Sequence, residues 1–209
     1  TSVVLLVFGI IGIYEIKISG SLIEDMPKKT DFFDDIRFFE KEFDGVMPLE
    51  IMINTKKKNG AMKLTNLRRM EELEETIIDI PELSKPLSIV NIAKSFKQAY
   101  YNGNPEFYEL PTAQEETFLL PYIKNSLKNS KDNQLRSYIT DDGSIARMTA
   151  FIKDENGEKM QDIEAQIRRK VNKIFPAPRY EVIITGKASV FQKGTKHLLD
   201  NLLSSLLFA

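Results

Sequence analysis

Few residues of this sequence have the types and spacing that catalysis requires. There is a single histidine, His197, four residues after Lys193, and there is no cysteine. One histidine excludes a multi-histidine zinc site, and a chain without cysteine has no disulfides, thiolate metal sites or cysteine nucleophiles. A serine triad would depend on His197 alone, and no short motif supplies the nucleophile and acid that it would need. The sequence therefore predicts no catalytic site, no cofactor and no metal.

Two acidic clusters have helical spacing but simpler explanations than a cation site. Asp31, Asp34 and Asp35 stand at the start of a predicted helix, where acidic side chains interact favourably with the helix dipole. The four glutamates in 71–75 are interpreted as a solvated helix face. The net charge of -1 gives no electrostatic footprint for nucleic acid.

A run of aromatic residues in 96–122 is the best candidate for a binding surface. It lies in a stretch with three prolines and one glycine, where a loop-rich backbone seldom buries so many rings completely. Rings that face a groove would suit a hydrophobic or amphiphilic ligand. The alternative is that they belong to the core and join two subdomains. The seven candidates for a substrate path are Phe96, Tyr100, Tyr101, Phe107, Tyr108, Phe118 and Tyr122.

The two ends of the chain are apolar. Residues 3–14 (VVLLVFGIIGIY) carry no charge, and 195–209 (TKHLLDNLLSSLLFA) place leucines on one helical stripe. Twelve helical residues span about 18 Å, whereas a bilayer core needs about 30 Å. We therefore expect both segments to be the ends of truncated transmembrane helices. A buried core helix or strand at the first end, and a docked helix or a coiled-coil seam at the second, are the alternatives.

Hydrophobic periodicity predicts alternating helices and strands between these ends. A short strand and a linker are expected within 15–29, and residues 88–101 should be a strand end that runs into a helix. The Asp-Asp-Gly at 141–143 predicts a hairpin, and Thr30 or Asp31 should cap the first helix. The other predicted helices are 31–43, 65–80, 115–128 and 159–175, and the other strands are 48–55, 135–139, 146–152 and 180–185.

This order predicts an α+β fold with two split βαβ, ferredoxin-like subdomains flanked by transmembrane helix ends. The expected divisions are 1–14 (end of a transmembrane helix), 15–101 (first subdomain), 102–134 (connection), 135–186 (second subdomain) and 187–209 (start of a second transmembrane helix).

Three longer patterns resemble a known family. They are LIEDMPKKTDFFDDIRFFEKEFDGVMPLEIMI, LSKPLSIVNIAKSFKQAYY and YEVIITGKASVFQKGTKHLLDNLLSSLLFA. Together they resemble the first large extracytoplasmic loop, the porter loop, of resistance-nodulation-division (RND) transporters, in the branch of MMPL-type and hydrophobe or amphiphile exporters. In that family a strand ends in Thr-Gly before the second transmembrane helix, and Thr185, Gly186 and Gly194 match this arrangement.

The resemblance implies the porter domain of a proton-driven efflux protein for lipids, hopanoids or drugs. This domain would be periplasmic, on the outer side of the inner membrane. Its partners would be the second porter loop and the transmembrane helices of the same transporter, membrane lipid and the hydrophobic or amphiphilic cargo. The family's proton-relay carboxylates lie in later helices, outside this chain. The large drug-efflux members of the family carry an extra docking insertion in this loop. The loop here is too short to hold that insertion, which favours the lipid-exporter branch. A lipid- or sterol-sensing or ligand-binding module without transport is the alternative, and homo-oligomerisation stays open.

Overall fold

A computed structural model describes residues 26–129, 137–155 and 157–208, and in this part the chain has a mixed α+β fold. The described residues form six α-helices, one short 3₁₀ turn and a three-stranded antiparallel sheet. The helices are α1 (Asp31–Phe43), α2 (Leu64–Ile78), α3 (Ile89–Tyr100), α4 (Glu116–Asn129), α5 (Gly157–Ile174) and α6 (Lys187–Phe208). The strands are β1 (Met47–Asn54), β2 (Ile145–Ile152) and β3 (Glu181–Thr185), and the 3₁₀ turn is Pro105–Phe107. The apolar segment 3–14 and the strand expected after it lie outside the described residues.

The sheet has the order β2-β1-β3, with β1 antiparallel to both neighbours. The two outer strands are therefore parallel to each other, and α5 connects them. Ile51 in β1 stands opposite Met148 in β2 and Ile184 in β3. Strands from both predicted subdomains thus join in one sheet, and the division into two subdomains stays a prediction.

One face of the sheet and the stripes of three helices form the core. Leu49, Ile51 and Ile53 are buried, while the residues between them are partly exposed. The apolar stripes of the helices predicted at 65–80 and 159–175 are buried, and α3 adds Ile89, Val90 and Ala93 to the same cluster. Those stripes are Leu67, Met70, Leu73 and Ile77 in α2 and Met160, Ile163, Ile167, Val171 and Ile174 in α5.

The prediction of a strand at 135–139 is wrong for residues 137–139, the part of this range that the structure describes. Ile139 forms only a single bridge with Ala146, and residues 135 and 136 lie outside the described part. Further along β2, the same outer edge is occupied by another segment of the chain: Leu87 exchanges backbone hydrogen bonds of 2.8 and 2.9 Å with Thr149. The strand end that we expect before α3 is reduced to this isolated bridge of Leu87 with Thr149. The next residue, Ser88, is the N-cap of α3.

Helix α6 begins immediately after β3. Gly186, between them, has φ +102, and its α-carbon lies against the backbone of β1 near Pro48 and Glu50. The first turn of α6 is packed, with Ala188 and Ser189 buried. Helical structure in 195–208 is confirmed, and Leu198 and Leu202 on this part of α6 are exposed. None of the helices in the described ranges is long and apolar enough to cross a membrane.

Candidate functional site

Helices α3 and α4 bring four of the predicted rings together. Phe96 and Tyr100 are one turn apart on α3, and Phe118 and Tyr122 are one turn apart on α4, so each pair projects from one side of its helix. The ring centroids of Phe96 and Tyr122 are 6.2 Å apart, those of Tyr100 and Phe118 are 5.7 Å apart, and those of Tyr100 and Tyr122 are 6.3 Å apart. These are favourable distances for aromatic pairs.

The connection after α3 adds two more rings. Tyr101 stacks on Phe107 with centroids 4.2 Å apart, and it meets Tyr100 edge-on at 5.3 Å. Phe107 ends the 3₁₀ turn, which Asn104 caps by accepting a hydrogen bond from the backbone N–H of Glu106. Six of the seven predicted residues therefore form one continuous contact network. We call it the aromatic surface: Phe96, Tyr100, Tyr101, Phe107, Phe118 and Tyr122.

The rings of the aromatic surface are not all buried. Tyr100 and Tyr122 are each 51% exposed and Phe118 is 44% exposed, while the other three rings are partly buried. Tyr108, the seventh predicted residue, is exposed directly after the 3₁₀ turn. The network therefore joins α3 to α4, as a core interpretation requires, and still leaves apolar ring area open to a ligand.

A buried lysine lies beneath this surface. Lys97 continues the buried stripe of α3 and is only 1% exposed. Its Nζ is 2.9 Å from Glu109 Oε1 and 2.8 Å from Glu115 Oε2, with the carbonyl of Leu110 at 3.5 Å. Burial would lower the pKa of Lys97, but the hydrogen bonds to Glu115 and Glu109 outweigh burial and raise it. The lysine is therefore charged and paired.

Glu115 is held from several sides. The backbone N–H of Thr112 donates to Glu115 Oε2 at 2.7 Å, and the backbone N–H of Glu115 donates to the Thr112 hydroxyl at 3.3 Å. The phenol of Tyr101 donates to Glu115 Oε1 at 2.6 Å. Burial would raise the pKa of Glu115, but the hydrogen bonds from Lys97, Thr112 and Tyr101 prevail and lower it to about 2.

Sequence reasoning missed both members of this ion pair. Glu115 had a signal, because Thr112 and Glu115 have the spacing of a capping box at the start of a helix. The sequence also carries a signal for the burial of Lys97, because this residue stands four positions after Ala93 and so continues the apolar stripe of α3.

The interpretation of all four glutamates in 71–75 as a solvated face is wrong for Glu74. This residue is 4% exposed, because it lies within the α2 stripe, four residues after Met70 and three before Ile77. Burial raises its pKa to about 7, although the hydroxyl of Ser88 donates a 2.5 Å hydrogen bond to it. The positive charge of Lys94, which forms a 2.7 Å ion pair with Glu71, acts to lower the pKa of Glu74, but burial outweighs it.

The other candidates lie elsewhere. His197 is exposed on α6, with its Nε2 3.2 Å from the amide nitrogen of Asn201. Asp34 lines an open cavity of about 790 Å³ between α1 and residues 153–155, with both acidic and basic walls. On α1, Phe39 stacks on Phe43 with centroids 5.2 Å apart, and both rings are more than half exposed.

Comparison with known proteins adds no relative: no protein-family model matches the sequence, and no curated protein is significantly similar to it.

Proposed function

We propose that this chain is a porter domain of an RND-type exporter and that its aromatic surface contacts hydrophobic or amphiphilic cargo. The proposal places the domain on the periplasmic side of the inner membrane, with the second porter loop and the transmembrane helices as partners. The domain binds and guides cargo and performs no catalytic step. The observation that carries the proposal is the network of six rings between α3 and α4, of which three are about half exposed.

The chemistry of this surface suits an acyl chain or a polycyclic lipid. Burying apolar area contributes about 25 cal/mol per Å² and requires no specific hydrogen bonds, so rings accept apolar molecules of varied shape. Tyr100 and Tyr122 add hydroxyl groups at the edge of the rings, where a polar head group would meet water. The rings are held by mutual contacts, which lowers the entropy cost of ordering them around a ligand.

The chain topology is compatible with a porter fold. Strands β2 and β3 are parallel, are joined through α5 and have β1 between them, and we interpret this order as a split βαβ unit. We propose that two ferredoxin-like subdomains built on such units make up the porter loop. The exposed Leu198 and Leu202 support a proposal that α6 continues into the membrane.

Binding of a fluorescent amphiphile to the 209-residue chain tests the proposal. The probe is 11-(dansylamino)undecanoate, and its dissociation constant is measured for Tyr100→Ala, Tyr122→Ala and the parent. Phe39→Ala on α1 is the matched control, since its ring is 54% exposed but lies outside the aromatic surface.

We expect each tyrosine change to weaken binding about five- to tenfold, because each removes ring area from the contact. The thermal midpoint should stay nearly constant in all three variants, since the altered rings are half exposed. Equal weakening by Phe39→Ala, or binding that follows stability alone, contradicts the proposal. Export assays in the complete transporter then separate a porter from a module that only binds or senses lipid.

A further inference from the structure

We propose that Lys97 recognises an anionic head group and that Glu109 occupies this position until the ligand displaces it. This inference rests on the proposed function and narrows the cargo to amphiphiles with a carboxylate or phosphate head. It starts from the charges around Lys97, where one ammonium group meets two carboxylates, those of Glu109 and Glu115. One carboxylate is enough to neutralise the lysine, so the second can be exchanged for another anion without leaving a buried charge unpaired.

The two carboxylates are held very differently. Glu115 accepts hydrogen bonds from Lys97, Thr112 and Tyr101, and its side chain is 12% exposed. The Glu109 side chain is 59% exposed, and in the described part of the chain the hydrogen bond of its carboxylate is to Lys97. An ion pair with one exposed partner contributes little to stability, because water competes for the exposed group. Glu109 is therefore the carboxylate that a ligand would replace.

The position of Lys97 fits a head group whose tail lies on the aromatic surface. Lys97 lies on α3 four residues before Tyr101, which caps the end of that helix, and Tyr101 stacks on Phe107. Tyr101 in turn meets Tyr100, which contacts Phe118. An anion that takes the place of the Glu109 carboxylate would thus have its tail beside rings that are partly open to solvent.

A series of probes with one chain length tests the inference. Dodecanoate and dodecyl phosphate carry the two anionic heads, dodecan-1-ol is neutral, and dodecylammonium is cationic. Each is added to the 209-residue chain below its critical micelle concentration, and displacement of the dansyl probe reports its affinity. We expect both anionic probes to bind more tightly than the neutral and cationic ones, and their ratio distinguishes a carboxylate from a phosphate cargo.

Glu109→Gln is the decisive variant, because it removes the competing charge and keeps the size of the side chain. It should tighten dodecanoate binding about fivefold, the size expected of one exposed ion pair, and leave dodecan-1-ol unchanged. Glu106→Gln is the control. It makes the same change of charge three residues earlier, on an exposed side chain of the 3₁₀ turn, and should have a much smaller effect.

Removal of the lysine tests whether Lys97 recognises the anionic head group. The double variant Lys97→Met/Glu115→Gln removes the buried ion pair as a unit and should abolish the preference for anionic probes. If it does not fold, the comparison of Glu109→Gln with Glu106→Gln decides the matter without it. The inference is overturned if Glu109→Gln has no effect or only that of Glu106→Gln. Equal binding of all four probes overturns the inference and leaves the proposed function intact, whereas no binding of any probe overturns both.

Discussion

The phenolic hydroxyl of Tyr101 donates a 2.6 Å hydrogen bond to Glu115, the same carboxylate that neutralises the buried Lys97. A ring of the aromatic surface is therefore attached to the ion pair beneath it. Glu115 also exchanges hydrogen bonds with Thr112 directly before α4. The hydrogen bond from Tyr101 therefore ties the end of α3 to the start of α4. The arrangement of the aromatic surface therefore depends on the carboxylate of Glu115, whose side chain is only 12% exposed.

Replacing Lys97 should destabilise the protein strongly. Lys97→Met leaves the carboxylate of Glu115 without its cation, and loss of one partner of a buried pair costs about 3 kcal/mol. The free energy of unfolding in urea measures the loss. Lys193→Met is the control, because Lys193 pairs with Glu164 at 3.2 Å from a largely exposed position and should cost less than about 1 kcal/mol. A similar loss in both variants would contradict the structural role given to Lys97.

Glu74 should make stability depend on pH. Its pKa is raised to about 7 in the folded protein from an ordinary value of 4.5, so the folded state holds a proton that the unfolded state has released between these values. Stability should therefore fall as pH rises from about 4.5 to about 7 and then level off. At about 1.4 kcal/mol per pKa unit, the contribution of Glu74 is on the order of 3 kcal/mol.

The variant Glu74→Gln isolates this contribution. Its amide oxygen can still accept the hydrogen bond from Ser88, but the side chain does not ionise. Unfolding measured at pH 5 and at pH 8 should show a smaller difference in the variant than in the parent. An unchanged difference would assign the pH dependence to other groups.

Gly186 should be intolerant of a side chain. Its φ of +102 is disfavoured for other residues, and an added Cβ would overlap the carbonyl oxygen of Pro48 and lie 2.9 Å from the backbone nitrogen of Glu50. We expect Gly186→Ala to lower the free energy of unfolding by about 2 kcal/mol or more. Gly194→Ala is the control, since nothing lies within 4 Å of a Cβ there and alanine favours a helix. A harmless Gly186→Ala would contradict the close approach of α6 and β1.

The two parts of α6 should differ in importance. A chain that ends at Gly194 keeps the buried Ala188 and Ser189, whereas one that ends at Lys187 loses them. The first truncation should unfold at nearly the same temperature as the full chain and aggregate less, because it lacks the exposed Leu198 and Leu202. The second should lose at least about 2 kcal/mol of stability. Strong destabilisation by the first truncation would show that the end of α6 belongs to the core.

Local patterns predicted much of the fold. The helical stripes of α2 and α5 follow from apolar residues three and four apart, and Thr30 caps α1 through its side chain as its type suggests. These local patterns do not predict which strands pair with each other. Ile51 meets Met148 and Ile184, which are about one hundred residues away or more, and no local rule chooses such partners.

The same limit applies to the site. The spacing of Phe96 and Tyr100, and of Phe118 and Tyr122, indicates one side of each helix, but not that the two sides meet. Charge alone predicts a solvated side chain, and this expectation is wrong for Glu74 and Lys97, which are buried. Their burial depends on partners that lie beyond the helix of each residue, Ser88 for Glu74 and Glu109 for Lys97, and only the folded chain brings these together.

Photolabelling with an amphiphile is the most direct test of the aromatic surface. Dodecanoate with a diazirine at the end of its tail is bound to the 209-residue chain and irradiated, and tryptic peptides are analysed by mass spectrometry. Cleavage at Lys97 and Lys124 releases residues 98–124, which contain six of the seven predicted rings, and cleavage at Arg37 and Lys41 releases residues 38–41, with Phe38 and Phe39. These two phenylalanines are 58% and 54% exposed, slightly more than Tyr100 and Tyr122, so labelling by exposure alone would favour them. We expect the label in 98–124, competed by unlabelled dodecanoate, whereas equal or stronger competed labelling of 38–41 would contradict the assignment of the cargo surface to α3 and α4.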